Sequence, residues 1–290
     1  MIIVNNVRQS VENRWRDLVD NGKRFTGISP NVDPNTPPDW FNANKFRKSQ
    51  QLGRKYYGSL GFGQFLGLMV MLYHTEAYAT LTSTGQSSNV QKLFRRYLST
   101  LVHVKHWFDF DPFDVNSQAY QSLKYVRGLH RQVASMLTTK WERMEGRDDL
   151  PISQYGMTHA QFAFTGFVAL YPKQCGLHGL SDDDFDCLLY FWRVIGYCLG
   201  CDDRFNLCNG TADEVVGLCQ LMFTREWYPL MSADLPVCEG GVEMAKGICL
   251  AMNQLARFIS YDVIMKYWYP ILSIDNKTVE LQTYSEIFCI

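Results

Sequence analysis

A chain of 290 residues, 47 % of them hydrophobic, is long enough to bury a substantial core in one or two domains. A net charge of −1 supplies no basic field, which argues against a nucleic-acid partner, and no charge run suggests a membrane-surface patch. The nine cysteines are odd in number and all lie between Cys175 and Cys289, the pattern of buried reduced thiols rather than a disulfide scaffold.

Residues 1–26 read as an amphipathic helix, with Val7, Val11, Trp15, Leu18 and Val19 at helical spacing. This segment lacks the apolar core of a signal peptide. Pro30, Pro34, Pro37 and Pro38 mark residues 27–38 as an extended linker. Pro38-Asp39-Trp40-Phe41 enters a helix carrying Arg47, Gln50, Arg54 and Tyr57. The apolar run from Leu60 to Tyr73 falls short of the roughly twenty residues that cross a bilayer. With no span and no leader visible, a cytoplasmic location is expected. A segment over 74–85 then stops at Leu81-Thr82-Ser83-Thr84-Gly85.

The next helix, near 89–108, has a broad apolar stripe (Leu93, Phe94, Tyr97, Leu101, Val104, Trp107) and carries Arg96, Ser99, Thr100, His103 and His106. After Asp109-Phe110-Asp111-Pro112 comes a helix over about 117–140. On it Leu123, Val126, His130, Val133 and Leu137 recur at steps of three and four, so a single imidazole sits mid-stripe. Asn116 or Ser117 can cap its start. Residues 141–156 read as a polar loop, and helices follow near 153–171 and 182–200, the second capped by Ser181 ahead of three aspartates. Helices near 212–226, 240–259 and 260–272 and a tail complete an all-α chain.

Two readings of His130 stand side by side. A lone histidine on an apolar face serves as a hydrogen-bonded core residue, or as an axial haem ligand whose neighbours Arg127 and Arg131 pair with the propionates. Cys198-x-x-Cys201 with Cys208 lacks the fourth ligand of a structural zinc site. The absence of Glu-x-x-His pairs removes a di-iron carboxylate bundle. The sequons at Asn209 and Asn276 matter only in a secreted protein. Glu76, His106 and His178 read as ordinary helix or loop residues.

The order of short signatures adds to this. Pro38-Asp39-Trp40-Phe41, the Leu81–Gly85 end, Arg96 to Thr100, Arg127-x-x-His130, Pro151-Ile152-Ser153-Gln154 and Trp192-Arg193-Val194-x-Gly196-x-x-x-Gly200 follow one another in the chain. This resembles the mpaB/rubber oxygenase catalytic domain family over about residues 31–225. The resemblance implies a globin-like helical core around a non-covalent haem b, and insertion of dioxygen into isoprenoid double bonds. It makes His130 the proximal iron ligand and sets Arg127 beside it. It also puts Arg96 and Thr100 on the dioxygen side, with His159 as a further pocket residue. Rubber-cleaving members carry a lysine immediately before the threonine, whereas this chain has Ser99. A lysine-closed state is therefore not expected, and His103, one turn on, is the other candidate to approach the iron.

The resulting expectation is a haem-dependent oxygenase of an apolar substrate, isoprenoid or unsaturated lipid, with dioxygen as co-substrate. A haem- or lipid-binding helical protein without catalysis is the alternative. The expected organisation is an N-terminal helical extension over 1–30, a haem-binding domain over 31–225, and C-terminal helices over 226–290 packed on it.

Overall fold

A computed structural model of the chain describes residues 2–141, 149–257 and 259–281. Among the described residues twelve α-helices carry the fold, and β structure is limited to one isolated bridge between Thr26 and Ser153. They are α1 (Ile2–Asn21), α2 (Ala43–Lys55), α3 (Tyr57–Met71), α4 (Thr75–Thr82), α5 (Val90–Asp109) and α6 (Gln118–Trp141). Then come α7 (Gln154–Leu170), α8 (Asp182–Leu199), α9 (Ala212–Met222), α10 (Tyr228–Ser232), α11 (Glu239–Met252) and α12 (Tyr261–Ile271). Among the described residues no helix is long and apolar enough to cross a membrane.

The chain groups into two compact units, residues 1–67 with 102–222 and residues 68–101 with 223–290. Helix α1 packs on α9 and α7 inside the first unit, with Val11, Trp15 and Leu18 buried.

The centre of the first unit is α7, buried along nearly its whole length. Ser153 caps it by accepting from the Gly156 amide. Helix α8 packs against α7, α2 and α6. Ser181 caps α8, and Gly200 ends it at φ +103°, where a Cβ would stand 2.9 Å from the Ile28 Cα. Phe108, Phe191 and Phe46 stack in sequence, with centroids 4.2 and 5.5 Å apart. Buried amides knit α7 to the segment after α8. Gln161 donates to the Trp192 carbonyl and to Asn206 Oδ1, and it accepts from the Leu207 amide.

In the second unit α11 packs on α12 and α4, and the hydroxyl of Tyr73 lies 2.7 Å from that of Tyr261 and 3.2 Å from that of Tyr269. Tyr73, Tyr261 and Tyr269 are buried, and their mutual hydrogen bonds satisfy the hydroxyls there.

Several boundaries differ from the periodicity. Helix α9 stops at Met222, and a π-helical turn over Phe223–Trp227 leads into the short α10, because Pro229 at its start cannot continue the ladder behind it. Helix α11 ends at Met252, after which Asn253 Nδ2 bonds the Arg257 and Ile259 carbonyls and favours a turn over helix. Residues 31–37 are a folded turn rather than an extended linker. Asp33 accepts from the Asn35 amide and the Thr36 hydroxyl, and its carbonyl accepts from Tyr197. Cys289 and residues 142–148 of the expected polar loop lie outside the described residues. The eight other cysteines are buried and free, and burial pushes the Cys201 and Cys208 thiols up to about 12.

Candidate functional site

Ser117 caps helix α6, its hydroxyl accepting from the Tyr120 amide at 3.0 Å. Leu123 and Leu137 are buried, and Val126, His130 and Val133 lie partly buried on the same stripe. His130 keeps some accessible surface as a residue, but its Nδ1 is enclosed and meets no hydrogen-bond partner among the described residues. Burial pushes the ring down to about 4, so the imidazole is a neutral base throughout the physiological range. An orphaned, enclosed ring nitrogen is exceptional in a folded interior. Neutral imidazole is the form in which histidine binds iron, so the residue present fits an axial ligand.

Arg127, one turn before His130, is 5 % exposed and already committed. It donates from Nη1 to the Cys198 carbonyl at the end of α8 and from Nη2 to Asn35 Oδ1 at 3.0 Å. A cation at a helix C-terminus is favoured by the macrodipole. Arg131 does not share that enclosure. It sits a residue further, about 100° round the helix from His130, and is exposed. The propionate-pairing role expected for both arginines therefore finds one guanidinium spoken for and the other in solvent.

His103 on α5 is tied to α6. Its Nδ1 lies 2.7 Å from Ser122 Oγ, which also accepts from Trp107 Nε1 at 2.9 Å. The indole can only donate, so the Ser122 oxygen is its acceptor. Burial, and secondarily His106, lowers the His103 pKa. Its ring stacks on Tyr125. His159, buried on α7, donates from Nδ1 to the Tyr155 carbonyl at 2.9 Å, so its lone pair is on Nε2.

Four of the short signatures meet around the last turns of α8. Trp40 packs edge-on against Tyr190 and Tyr197, with the Arg193 guanidinium 3.9 Å from the indole centroid and paired with Asp203. Gly196 leaves room for Gln161, whose Nε2 would lie 2.1 Å from a Cβ there. Gln154 donates to the Gly200 and Thr26 carbonyls and accepts from the Asp202 amide. Arg127 closes the set on Cys198.

The family model described as "ER-bound oxygenase mpaB/B'/Rubber oxygenase, catalytic domain" matches residues 54–247. The chain belongs to this family. A solved structure of latex clearing protein in the closed state superposes with a TM-score of 0.63 at 16 % identity, covering 97 % of this chain and 76 % of that one. The all-α, latex-clearing-protein-like fold follows from that match. No curated protein matches.

The remaining residues that the mpaB/rubber oxygenase resemblance singles out belong to the second unit. Arg96 donates to the Leu81 carbonyl at 2.7 Å and to Ser87 Oγ at 2.9 Å, pinning the turn that ends at Gly85. The Thr100 hydroxyl bonds back to the Arg96 carbonyl, and Ser99 is exposed. Glu76 is half-buried in the first turn of α4, whereas His178 is exposed in the first unit.

Two features escaped sequence reasoning. Glu226, in the π turn, lies 3.8 Å from His74, a pairing across 152 positions that no local pattern announces. Gln64 on α3 has its Nε2 enclosed without a described partner. Its only sequence signal was an amide inside an uncharged run.

Proposed function

We propose that the chain is a haem b-dependent oxygenase acting on an apolar substrate, isoprenoid or unsaturated lipid, with His130 as the iron ligand. The observation that carries this is the enclosed, unpartnered Nδ1 of His130 on a ring that stays neutral, within a chain of this oxygenase family. A bound haem b supplies a redox-active iron at which dioxygen is activated. The chain's own part is to present a neutral imidazole, keep water away from it, and hold the helix that carries it. Arg127 does the last of these by fastening α6 to the end of α8 and to Asn35. Within the second unit Arg96 holds the 81–87 turn, and the Thr100 hydroxyl donates to the Arg96 carbonyl. His159 and His103 are polar residues of the surrounding pocket.

Titration of the purified protein with haemin tests the reading. A Soret band that saturates at one equivalent and is lost in His130→Ala supports it. A protein that takes up no haemin overturns it. Dioxygen uptake with alkene substrates then separates an oxygenase from a carrier, which binds without turnover.

A further inference from the structure

The outward side of α6 is apolar where the protein does not cover it. Tyr125, Leu129 and Met136 are 57, 40 and 45 % exposed, and with Gln132 they fall at steps of four, three and four along one stripe. Gly128 beside them has no heavy atom of a described residue within 4 Å of where a Cβ would stand, so the surface is open there. Helix α5 extends the patch. The His103 ring stacks on Tyr125, and the adjacent Val102 is 45 % exposed.

The charges on the same helix are of one sign. From Gln118 to Trp141 there are Lys124, Arg127, Arg131 and Lys140 and no acidic residue, in a chain whose net charge is −1. Lys124 and Arg131 are exposed and form no ion pair with a described residue. They lie two turns apart on the solvent side, separated from the apolar stripe by small and amide residues. An exposed apolar stripe beside unpaired cations on an acid-free helix is the arrangement of an interfacial helix on an anionic bilayer.

We propose that the outer face of α6 docks peripherally on anionic lipid, with Tyr125, Leu129 and Met136 entering the headgroup boundary and Lys124 and Arg131 engaging lipid phosphates and carboxylates. This is independent of the haem reading: Tyr125, Leu129 and Met136 lie about 100–140° round α6 from His130, and Arg131 is in solvent.

Flotation of the full chain with phosphatidylcholine vesicles, with and without about 30 % phosphatidylserine, tests it. The protein should float only with the anionic vesicles, less so in about 0.5 M salt than in about 0.1 M. The pair Lys124→Glu with Arg131→Glu, and separately Leu129→Ser with Met136→Ser, should each lower the partition by about tenfold or more while circular dichroism stays unchanged. Failure to float, equal binding to both vesicles, or an undiminished partition in either double variant overturns the proposal. So does a concentration-dependent dimer in sedimentation that the Leu129/Met136 pair abolishes, which would give this face to a second copy.

Discussion

The guanidinium of Arg127 joins the main-chain carbonyl of Cys198, at the last turn of α8, to the helix that carries His130. Asn35 completes the joint from the turn that precedes Trp40, and its Oδ1 accepts from both Arg127 and the Tyr120 hydroxyl. One arginine thus fixes the two helices and the Asn35 turn at a single point.

Replacing Arg127 with Met removes two hydrogen bonds from a buried cation and strands the Cys198 carbonyl. A loss of about 2–3 kcal/mol is expected in urea unfolding. Arg127→Lys should restore less than half of it, since a point-charge ammonium does not reproduce the planar fork that reaches both acceptors.

His130 titrates far below an exposed histidine because burial disfavours its cation. Between about pH 6.5 and about 4 the unfolded chain therefore binds a proton that the folded chain does not. Stability should fall as the pH is lowered through that window, by up to about 3 kcal/mol at its lower end. In His130→Leu without added haem this part of the slope should vanish, as read from urea midpoints at pH values across the window.

Two glycines invert each other's behaviour. Gly196→Ala sets a methyl 2.1 Å from Gln161 Nε2 and breaks the amide set that binds α7 to Leu207 and Trp192. A cost of about 3–5 kcal/mol is expected from overpacking together with stranded polar groups. Gly128→Ala meets no atom and removes a mid-helix glycine, so it should raise stability by about 0.5–1 kcal/mol. Thermal denaturation of both variants checks the pair.

Ser122→Ala leaves the buried Trp107 indole without its acceptor and frees His103. A loss of about 1–3 kcal/mol and a changed tryptophan emission are expected. The His103 titration, followed by proton NMR, should move from its wild-type position. An unchanged emission and titration would show that the serine does not link the two rings.

Helix α6 and its histidine were legible in the sequence because a 3.6-residue period and a serine cap are local signals, and the same holds for Ser181 at the start of α8. What was not legible depended on partners far along the chain. Arg127 and Arg131 look alike as neighbours, and only the tertiary position of Cys198 and Asn35 separates the buried one from the solvated one. Four prolines made residues 27–38 look extended, but the Asp33 side chain closes a turn that the proline pattern does not reveal. An acid-free helix was visible in the letters, yet it acquired meaning only once Tyr125, Leu129 and Met136 were seen uncovered.

The meeting of Trp40, Arg127, Gln154 and Gly196 around the end of α8 has a consequence for how such chains change. Each of these residues is useful only while the others hold their places, so single replacements there should be costly and paired ones less than additive. Exchange at this joint is therefore expected to be concerted rather than one residue at a time.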